Sequence, residues 1–162
     1  MTDIKQCSSR ACFTGHRPEK LKTDTAKIIE ELAKEIDIAI SEGITEFISG
    51  MARGVDLWAA SLVLERKKDN PSIKLVCAIP YEGFSKSWSD KWQSMYNEAC
   101  EQADLVKVFY RYFTYASFQE RNRWMVDNSA RIIAVYNGEK GGTENTLEYA
   151  RKCGTRVCVI QG

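Results

Sequence analysis

Three glycine-rich segments contain residue types and spacings that suit the binding of a phosphate group. They are F-T-G-H-R-P at residues 13–18, S-G-M-A-R-G-V-D at 49–56 and N-G-E-K-G-G-T-E-N-T at 137–146. Glycine lets the backbone approach a ligand closely, and successive N–H groups at the start of a helix attract phosphate oxygens. The segments therefore indicate an anion site built largely from backbone groups.

The first segment has a binding and a structural interpretation. In the binding interpretation, Gly15 allows a tight exit from a strand, and His16 and Arg17 project donors at the edge of a sheet. In the structural one, Gly15 only makes a turn and Arg17 is solvated. The spacing alone does not separate the two.

The second segment places two glycines, Gly50 and Gly54, four residues apart. This spacing is not G-x-G-x-x-G, and the Lys-Ser/Thr pair of a P-loop is absent. Its position between a strand and a helix favours ligand binding, with Ser49, Arg53 and Asp56 as further candidates. The alternative is a sharp turn in which Asp56 only caps the helix that follows.

The third segment ends in two adjacent glycines, Gly141 and Gly142, with Gly138 earlier in the same loop. A helix start behind two glycines is an anion site because the helix dipole is positive there. Thr143 can cap this helix through its hydroxyl, and the structural alternative is a flexible turn with a good cap. Two such loops in one domain favour binding over coincidence.

Arg121 lies near the start of a predicted helix, where its guanidinium can fork onto phosphate oxygens or face solvent. Residues 109–118, before and at the start of that helix, are rich in aromatic side chains. These rings can stack on a base, but packing in the core or in a subunit interface is the favoured interpretation, which leaves a homo-oligomer open. Trp88 and Trp92 are four residues apart and are predicted to form one packed helix face.

Apolar runs alternate with helical patterns along the chain. Strands are predicted at 10–14, 45–49, 73–79, 105–110, 131–136 and 156–160, and helices at 24–42, 56–68, 89–103, 117–130 and 143–153. The fourth helix carries a capping-box pattern, Ser117 with Glu120. This alternation predicts an α/β, Rossmann-like, doubly wound and mostly parallel sheet of six strands with helices on both faces. Ligands bind such sheets beyond the carboxyl ends of the strands.

Composition narrows the class of protein. The chain has 162 residues, of which 44% are hydrophobic and 28% charged, with a formal net charge of +1. These values predict one ordered domain, residues 1–162, and disfavour a general polyanion binder. The sequence contains neither a signal peptide nor a membrane span, so we expect a cytoplasmic protein with reduced cysteines. With His16 the only histidine and no C-x-x-C pair, no metal site is predicted.

The motifs at residues 13–18 and 50–56, together with A-I-P-Y at 78–81, resemble the YpsA-like family of the SLOG superfamily. This Rossmann-like group includes DprA and the Lonely Guy enzymes, and the resemblance covers residues 10–161. It implies a pocket for a nucleotide-derived ligand such as ADP-ribose or NAD, used in signalling or sensing, and it adds Pro80 and Tyr81 to the candidate site. No firm cofactor follows from it.

The Lonely Guy enzymes cleave the N-glycosidic bond of nucleoside monophosphates, and their signature is P-G-G-x-G-T-x-x-E. The position of the signature glutamate falls on Thr146. Threonine lacks the carboxylate that stabilises an oxocarbenium-like transition state. Glu144 and Glu148 are expected about 200° away around the helix. The resemblance therefore implies a binding protein with little or no catalysis, and the N-glycosidase is the alternative.

DprA carries S-G-x-A-x-G-x-D, which residues 49–56 reproduce, and a threonine in the last helix at the place of Thr146. DprA binds single-stranded DNA, which requires a charged groove. The net charge of +1 disfavours nucleic acid as a partner here. A nucleic-acid or protein interaction module is thus the second alternative.

Overall fold

The computed structural model of the protein describes residues 7–162 and contains six strands and five helices. Residues 1–6 belong to the N-terminal stretch in which no signal peptide is predicted, and they lie outside the described residues. The strands are β1 (Arg10–Gly15), β2 (Glu46–Ser49), β3 (Lys74–Tyr81), β4 (Leu105–Tyr110), β5 (Arg131–Tyr136) and β6 (Arg156–Gln161). The helices are α1 (Thr25–Ser41), α2 (Val55–Asp69), α3 (Asp90–Gln102), α4 (Tyr115–Asp127) and α5 (Gly142–Lys152), and Pro18–Lys20 form a short 3-10 helix.

The six strands form one sheet in the order β4-β3-β2-β1-β5-β6, and every neighbouring pair is parallel. This arrangement confirms the predicted Rossmann-like α/β fold. From β1 the chain winds outward to β4 and then returns to the other side of β1 with β5. The order reverses between β1 and β5, which is the place where such sheets open a crevice for ligands.

The central strands are apolar because helices cover both faces of the sheet. On one face, Ile28, Leu32 and Ile36 of α1 are fully buried with Phe47 and residues of α2 and α3. On the other face, residues of α4 and α5 pack over β1 and β5. Burial of each large apolar side chain contributes about 1.5–3 kcal/mol. None of the helices within residues 7–162 is long and apolar enough to cross a membrane.

The start of α4 differs from the prediction. Its N-cap is Thr114, three residues before the predicted cap residue Ser117, and the Thr114 hydroxyl accepts the N–H of Ser117 at 3.1 Å. Glu120 instead accepts a hydrogen bond from the hydroxyl of Tyr110 at the end of β4. The capping box of Ser117 and Glu120 is therefore wrong, because a second hydroxyl residue stands one turn earlier.

Candidate functional site

The loops that leave β1, β2, β3 and β5 converge on a cleft of about 900 Å³ at the carboxyl edge of the sheet. This is the crevice that the reversal of strand order creates. Among the residues singled out from the sequence, those that line it are Gly15, His16, Arg17, Arg53, Asp56, Tyr81, Arg121, Gly141, Gly142 and Thr143. The topology thus brings residues from all three glycine-rich segments to one place.

The remaining predicted residues lie outside the cleft lining: Ser49, Gly50, Gly54, Pro80, Gly138 and Thr146. Several of them shape the β2–α2 loop instead. Ser49 donates its hydroxyl to the Asp56 carbonyl at 2.8 Å and accepts the N–H of Met51 at 3.2 Å. Met51 is buried with a φ of +64°. Gly54 has a φ of +88°, and a Cβ there would lie 2.9 Å from the ring of Pro18.

Asp56 and Arg121 are both buried and both lie against Gly50, without forming an ion pair with each other. Nη1 of Arg121 donates to the carbonyl oxygen of Gly50, and to that of Ala78 at 3.4 Å, while Nε donates to the side chain of Asn122 at 2.8 Å. A Cβ on Gly50 would lie 2.9 Å from both Arg121 Nη1 and Asp56 Oδ2. Only glycine therefore admits this close approach.

The carboxylate of Asp56 is incompletely satisfied. Its Oδ2 accepts the N–H of Ala52 at 3.2 Å, whereas Oδ1 is buried with no hydrogen-bond partner among residues 7–162. Burial raises the pKa of Asp56 to about 6, and the positive charge of Arg121 and the Ala52 N–H oppose that rise. Burial also lowers the pKa of Arg121, and the charge of Asp56 opposes this change. Within the described chain, Oδ1 is therefore an orphaned buried acceptor, which is rare in folded proteins and calls for an explanation.

The raised pKa of Asp56 predicts an unusual pH dependence of stability. The ordinary pKa of an aspartate is 3.8, and that of folded Asp56 is about 6. Between these two pH values, Asp56 keeps its proton in the folded chain but has released it in the unfolded chain. Stability contributed by this group is therefore lost as the pH rises through that window, by roughly 3 kcal/mol. Urea unfolding of Asp56→Asn and of the natural protein, from pH 4 to pH 7.5, checks this: the variant should lack the loss.

The exposed Asp69→Asn substitution serves as the control and should leave the profile of the natural protein unchanged. Asparagine at position 56 keeps an acceptor for the Ala52 N–H but does not titrate. A constant difference in unfolding free energy between Asp56→Asn and the natural protein across the pH range would contradict the assignment.

His16 connects the loops that follow β1 and β5. Its Nε2 accepts the N–H of Asn137 at 3.3 Å, which places the ring proton of neutral His16 on Nδ1. The ring stacks on Tyr136 with centroids 5.5 Å apart, and burial lowers the pKa of His16. The side-chain amide of Asn137 donates to the backbone carbonyl of Lys20 at 3.0 Å. The histidine is thus a neutral part of the cleft wall.

The start of α5 presents unshared donors to the cleft. Gly141 is the N-cap, with a φ of +146° and no side-chain cap bond, so the predicted capping role of Thr143 is wrong. The Thr143 hydroxyl has no hydrogen-bond partner among the described residues and lines the cleft beside Lys140 and Gly142. The first N–H groups of the helix are therefore left to bind a ligand or water.

Two arginines, Arg17 and Arg53, also line the cleft. Arg17 is exposed. Arg53 forms an ion pair with Glu19, with Nη2 and Oε1 3.1 Å apart. Both side chains can reach an anion in the cleft, although Arg53 would have to leave Glu19 to do so. An exposed pair of this kind holds its partners by only about 0.2–1 kcal/mol.

Aromatic residues that contact one another line part of the cleft, its aromatic end. The rings that line it are Tyr81, Phe84, Trp88, Trp92, Phe113, Tyr115 and Phe118. The core interpretation of the aromatic segment is wrong for Phe113 and Tyr115, which are 53% and 86% exposed. Trp88 precedes α3 and packs on Phe84 and Tyr96, so it does not share a helix face with Trp92.

Apart from Tyr81, which the resemblance adds to the candidate site, sequence reasoning did not assign these rings to the cleft. A signal was present for Phe113, because it follows β4 and so lies at the carboxyl edge of the sheet.

Thr146 lines a groove of about 570 Å³ between α4 and α5, which adjoins the cleft and shares with it Tyr115, Phe118, Asn122 and Gly142. Its hydroxyl donates to the carbonyl of Gly142 at 2.8 Å. Glu148, which helical spacing predicts on the other side of the helix, lines the same groove. Glu144 accepts a hydrogen bond from Tyr136 at 3.0 Å. None of these three residues lines the larger cleft.

Comparison with known sequences identifies relatives over most of the chain. The profile of the YspA SLOG family matches residues 11–156. The SPbeta prophage-derived protein YoqJ of Bacillus subtilis is 36% identical over 145 residues, which are 82% of this chain and 81% of that protein. A UPF0398 protein of Staphylococcus epidermidis is 30% identical over 136 residues, 79% of this chain and 72% of that protein.

Two solved structures share the fold. DprA of Streptococcus pneumoniae has a TM-score of 0.64 at 18% identity; the match covers 94% of this chain but 50% of the DprA chain, so this chain spans half of it. DprA of Helicobacter pylori, solved for its single-stranded DNA binding mode, has a TM-score of 0.66 at 19% identity and is covered to 70%. Because the profile and the relatives span most of its length, the chain belongs to the YspA SLOG family.

Proposed function

We propose that this protein binds a phosphate-bearing, nucleotide-derived ligand of the ADP-ribose or NAD type, in a signalling or sensing role and with little or no turnover. The observation that carries the proposal is the convergence, in one cleft, of the uncapped start of α5 and the buried pair of Asp56 and Arg121. The volume of about 900 Å³ lies in the range typical of small-ligand sites.

The phosphate would bind at the start of α5. There the N–H groups that follow Gly141, the Thr143 hydroxyl and the charge of Lys140 all favour an anion. Arg121 adds a buried positive charge, and its Nη2 has no hydrogen-bond partner among the described residues. The proposed donors therefore come from both sides of the switch point of the sheet.

A ribose hydroxyl would donate to Asp56 Oδ1. This oxygen is buried and unpartnered among the described residues, and leaving such a group unsatisfied costs about 1–3 kcal/mol. A ligand that carries both a phosphate and a hydroxyl donor removes this penalty when it binds. Free inorganic phosphate has no sugar to place a hydroxyl beside Asp56 while the phosphate occupies the helix start, so it should bind more weakly.

Two contacts argue against N-glycosidase activity as the main function. Thr146 stands where the Lonely Guy enzymes carry their glutamate, and its hydroxyl is bonded to the Gly142 carbonyl outside the cleft. Glu144 is bonded to Tyr136. Without a carboxylate at the position of that glutamate, the rate should fall by about a hundredfold or more. We expect no release of free base from nucleoside monophosphates.

Substituting Thr143 tests the phosphate end. Thr143→Val keeps the shape but removes a hydroxyl that faces the cleft, and a hydrogen bond to a charged group contributes about 1.5–3 kcal/mol. We expect ADP-ribose to bind Thr143→Val about tenfold or more weakly than the natural protein, with an unchanged melting temperature. Titration calorimetry with both proteins provides the measurement.

Thr155→Val, between α5 and β6 and away from the cleft, is the matched control and should bind ADP-ribose normally. Equal affinities of Thr143→Val and the natural protein would remove the helix start from the site. Chromatographic detection of free base would favour the N-glycosidase instead. A single strand of DNA bound more tightly than about 10 µM, with a steep salt dependence, would favour the interaction module.

A further inference from the structure

The proposed phosphate site does not account for the aromatic residues at the aromatic end of the cleft. Its rings contact one another mainly edge to face. Phe113 is 5.6 Å from Tyr81 and 6.0 Å from Phe118 between centroids, with interplanar angles of 89° and 67°. Phe113 also contacts Tyr115 at 5.3 Å. In spite of these contacts, Phe113 is 53% exposed, so a large part of the ring surface stays open.

The two ends of the cleft are directly connected. The guanidinium of Arg121 lies over the ring of Phe118, with Cζ 5.7 Å from the ring centroid. Arg121 also contacts the Gly50 carbonyl, which places it beside Asp56. A ligand that reaches from the start of α5 past Arg121 therefore arrives at exposed aromatic rings.

Resting on the proposed function, we propose that this aromatic end binds the planar base of the nucleotide by stacking on the exposed ring of Phe113, which contacts Tyr81, Tyr115 and Phe118. An open aromatic ring matches a flat π-system, and a base is the flat part of a nucleotide ligand. The same cleft contains anion donors, an acceptor for a sugar hydroxyl and aromatic rings, which are the three kinds of group that a nucleotide ligand requires. Stacking tolerates any base, so purine and pyrimidine nucleotides should bind with similar affinity.

The test compares ADP with two probes that lack a base, ribose 5-phosphate and pyrophosphate. Phe113→Leu retains apolar bulk but loses the ring. It should bind ADP about tenfold more weakly, because stacking on one side chain contributes on the order of tenfold in affinity or more. It should bind both base-free probes within about twofold of the natural protein, since neither reaches the ring. Phe113→Tyr should restore the affinity for ADP.

Tyr112→Leu is the matched control, because Tyr112 is adjacent, 77% exposed and absent from the cleft lining. It should bind ADP like the natural protein. Unchanged ADP affinity in Phe113→Leu would overturn the stacking proposal while the phosphate site stands. Equal losses for ADP and pyrophosphate would also overturn it. Failure of the natural protein to bind any of the three probes would refute the proposed function and this inference together.

A last measurement uses a single strand of thymidylate nucleotides as the ligand. If it binds far more tightly than ADP and loses affinity in Phe113→Leu, the rings serve a nucleic-acid strand, and the single-nucleotide proposal is wrong.

Discussion

Arg121→Met is expected to lower the free energy of unfolding by about 3–5 kcal/mol, because it leaves the buried carboxylate of Asp56 without the nearby positive charge. The side chain is buried, and its Nη1 satisfies the carbonyl oxygens of Gly50 and Ala78. Methionine fills a similar volume but donates no hydrogen bond. Both carbonyl oxygens and the carboxylate of Asp56 would then lose a favourable neighbour.

Urea unfolding at pH 7.5 measures the effect, with Arg17→Met as the control. Arg17 is exposed on the same cleft, so its replacement should change stability by less than about 0.5 kcal/mol. Adding Asp56→Asn to Arg121→Met should recover part of the loss, because it removes the uncompensated carboxylate. A loss below about 1 kcal/mol in Arg121→Met would mean that water replaces the guanidinium at no great cost.

Gly15→Ala is expected to destabilise the protein by about 3 kcal/mol, the upper end for overpacking a closely fitted site. A Cβ on Gly15 would lie 2.5 Å from Cγ2 and 2.6 Å from Cβ of Val55, at the point where β1 meets α2. Gly15 lies in a strand and Val55 in a helix, and the position of Cβ in each residue is set by the backbone. A change of side-chain rotamer therefore cannot relieve this contact.

Val55→Gly removes Cβ, Cγ1 and Cγ2 of Val55, which are the three atoms that the new Cβ would meet. In that background, Gly15→Ala should therefore destabilise the protein much less. Gly142→Ala is the control for adding a methyl group, because a Cβ there meets no atom within 4 Å. Thermal unfolding of the natural protein, the two single variants, the double variant and the Gly142→Ala control completes the comparison. Additive losses for Gly15→Ala and Val55→Gly would show that the two residues do not interact.

Most of the secondary structure can be predicted from local patterns. β4 and β5 have the predicted bounds, 105–110 and 131–136, because each is an apolar run between clear breaks. α1 follows from the burial of Ile28, Leu32 and Ile36 at a spacing of four. The boundary at α4 is wrong because two hydroxyl residues, Thr114 and Ser117, compete for the cap, and local sequence does not rank them.

The candidate site is predictable only in part. Glycine-rich loops after parallel strands indicate where a ligand binds, and the strand order then brings them together. Sequence spacing does not reveal that Arg121 packs against Gly50, because the two are 71 residues apart. It predicts Arg121 as a phosphate ligand, whereas the structure shows Nη1 already bonded to backbone. The exposure of Phe113 likewise depends on tertiary packing.

The β2–α2 loop has a consequence for the kinetics of association. Met51 stays in the left-handed region because the hydroxyl of Ser49 accepts its N–H, and Arg121 holds the carbonyl of Gly50. The loop is therefore rigid before a ligand arrives. Its conformational entropy has already been lost on folding, so binding need not include a slow ordering step at this loop. On this side of the cleft, diffusion and desolvation should set the rate of capture, rather than loop closure.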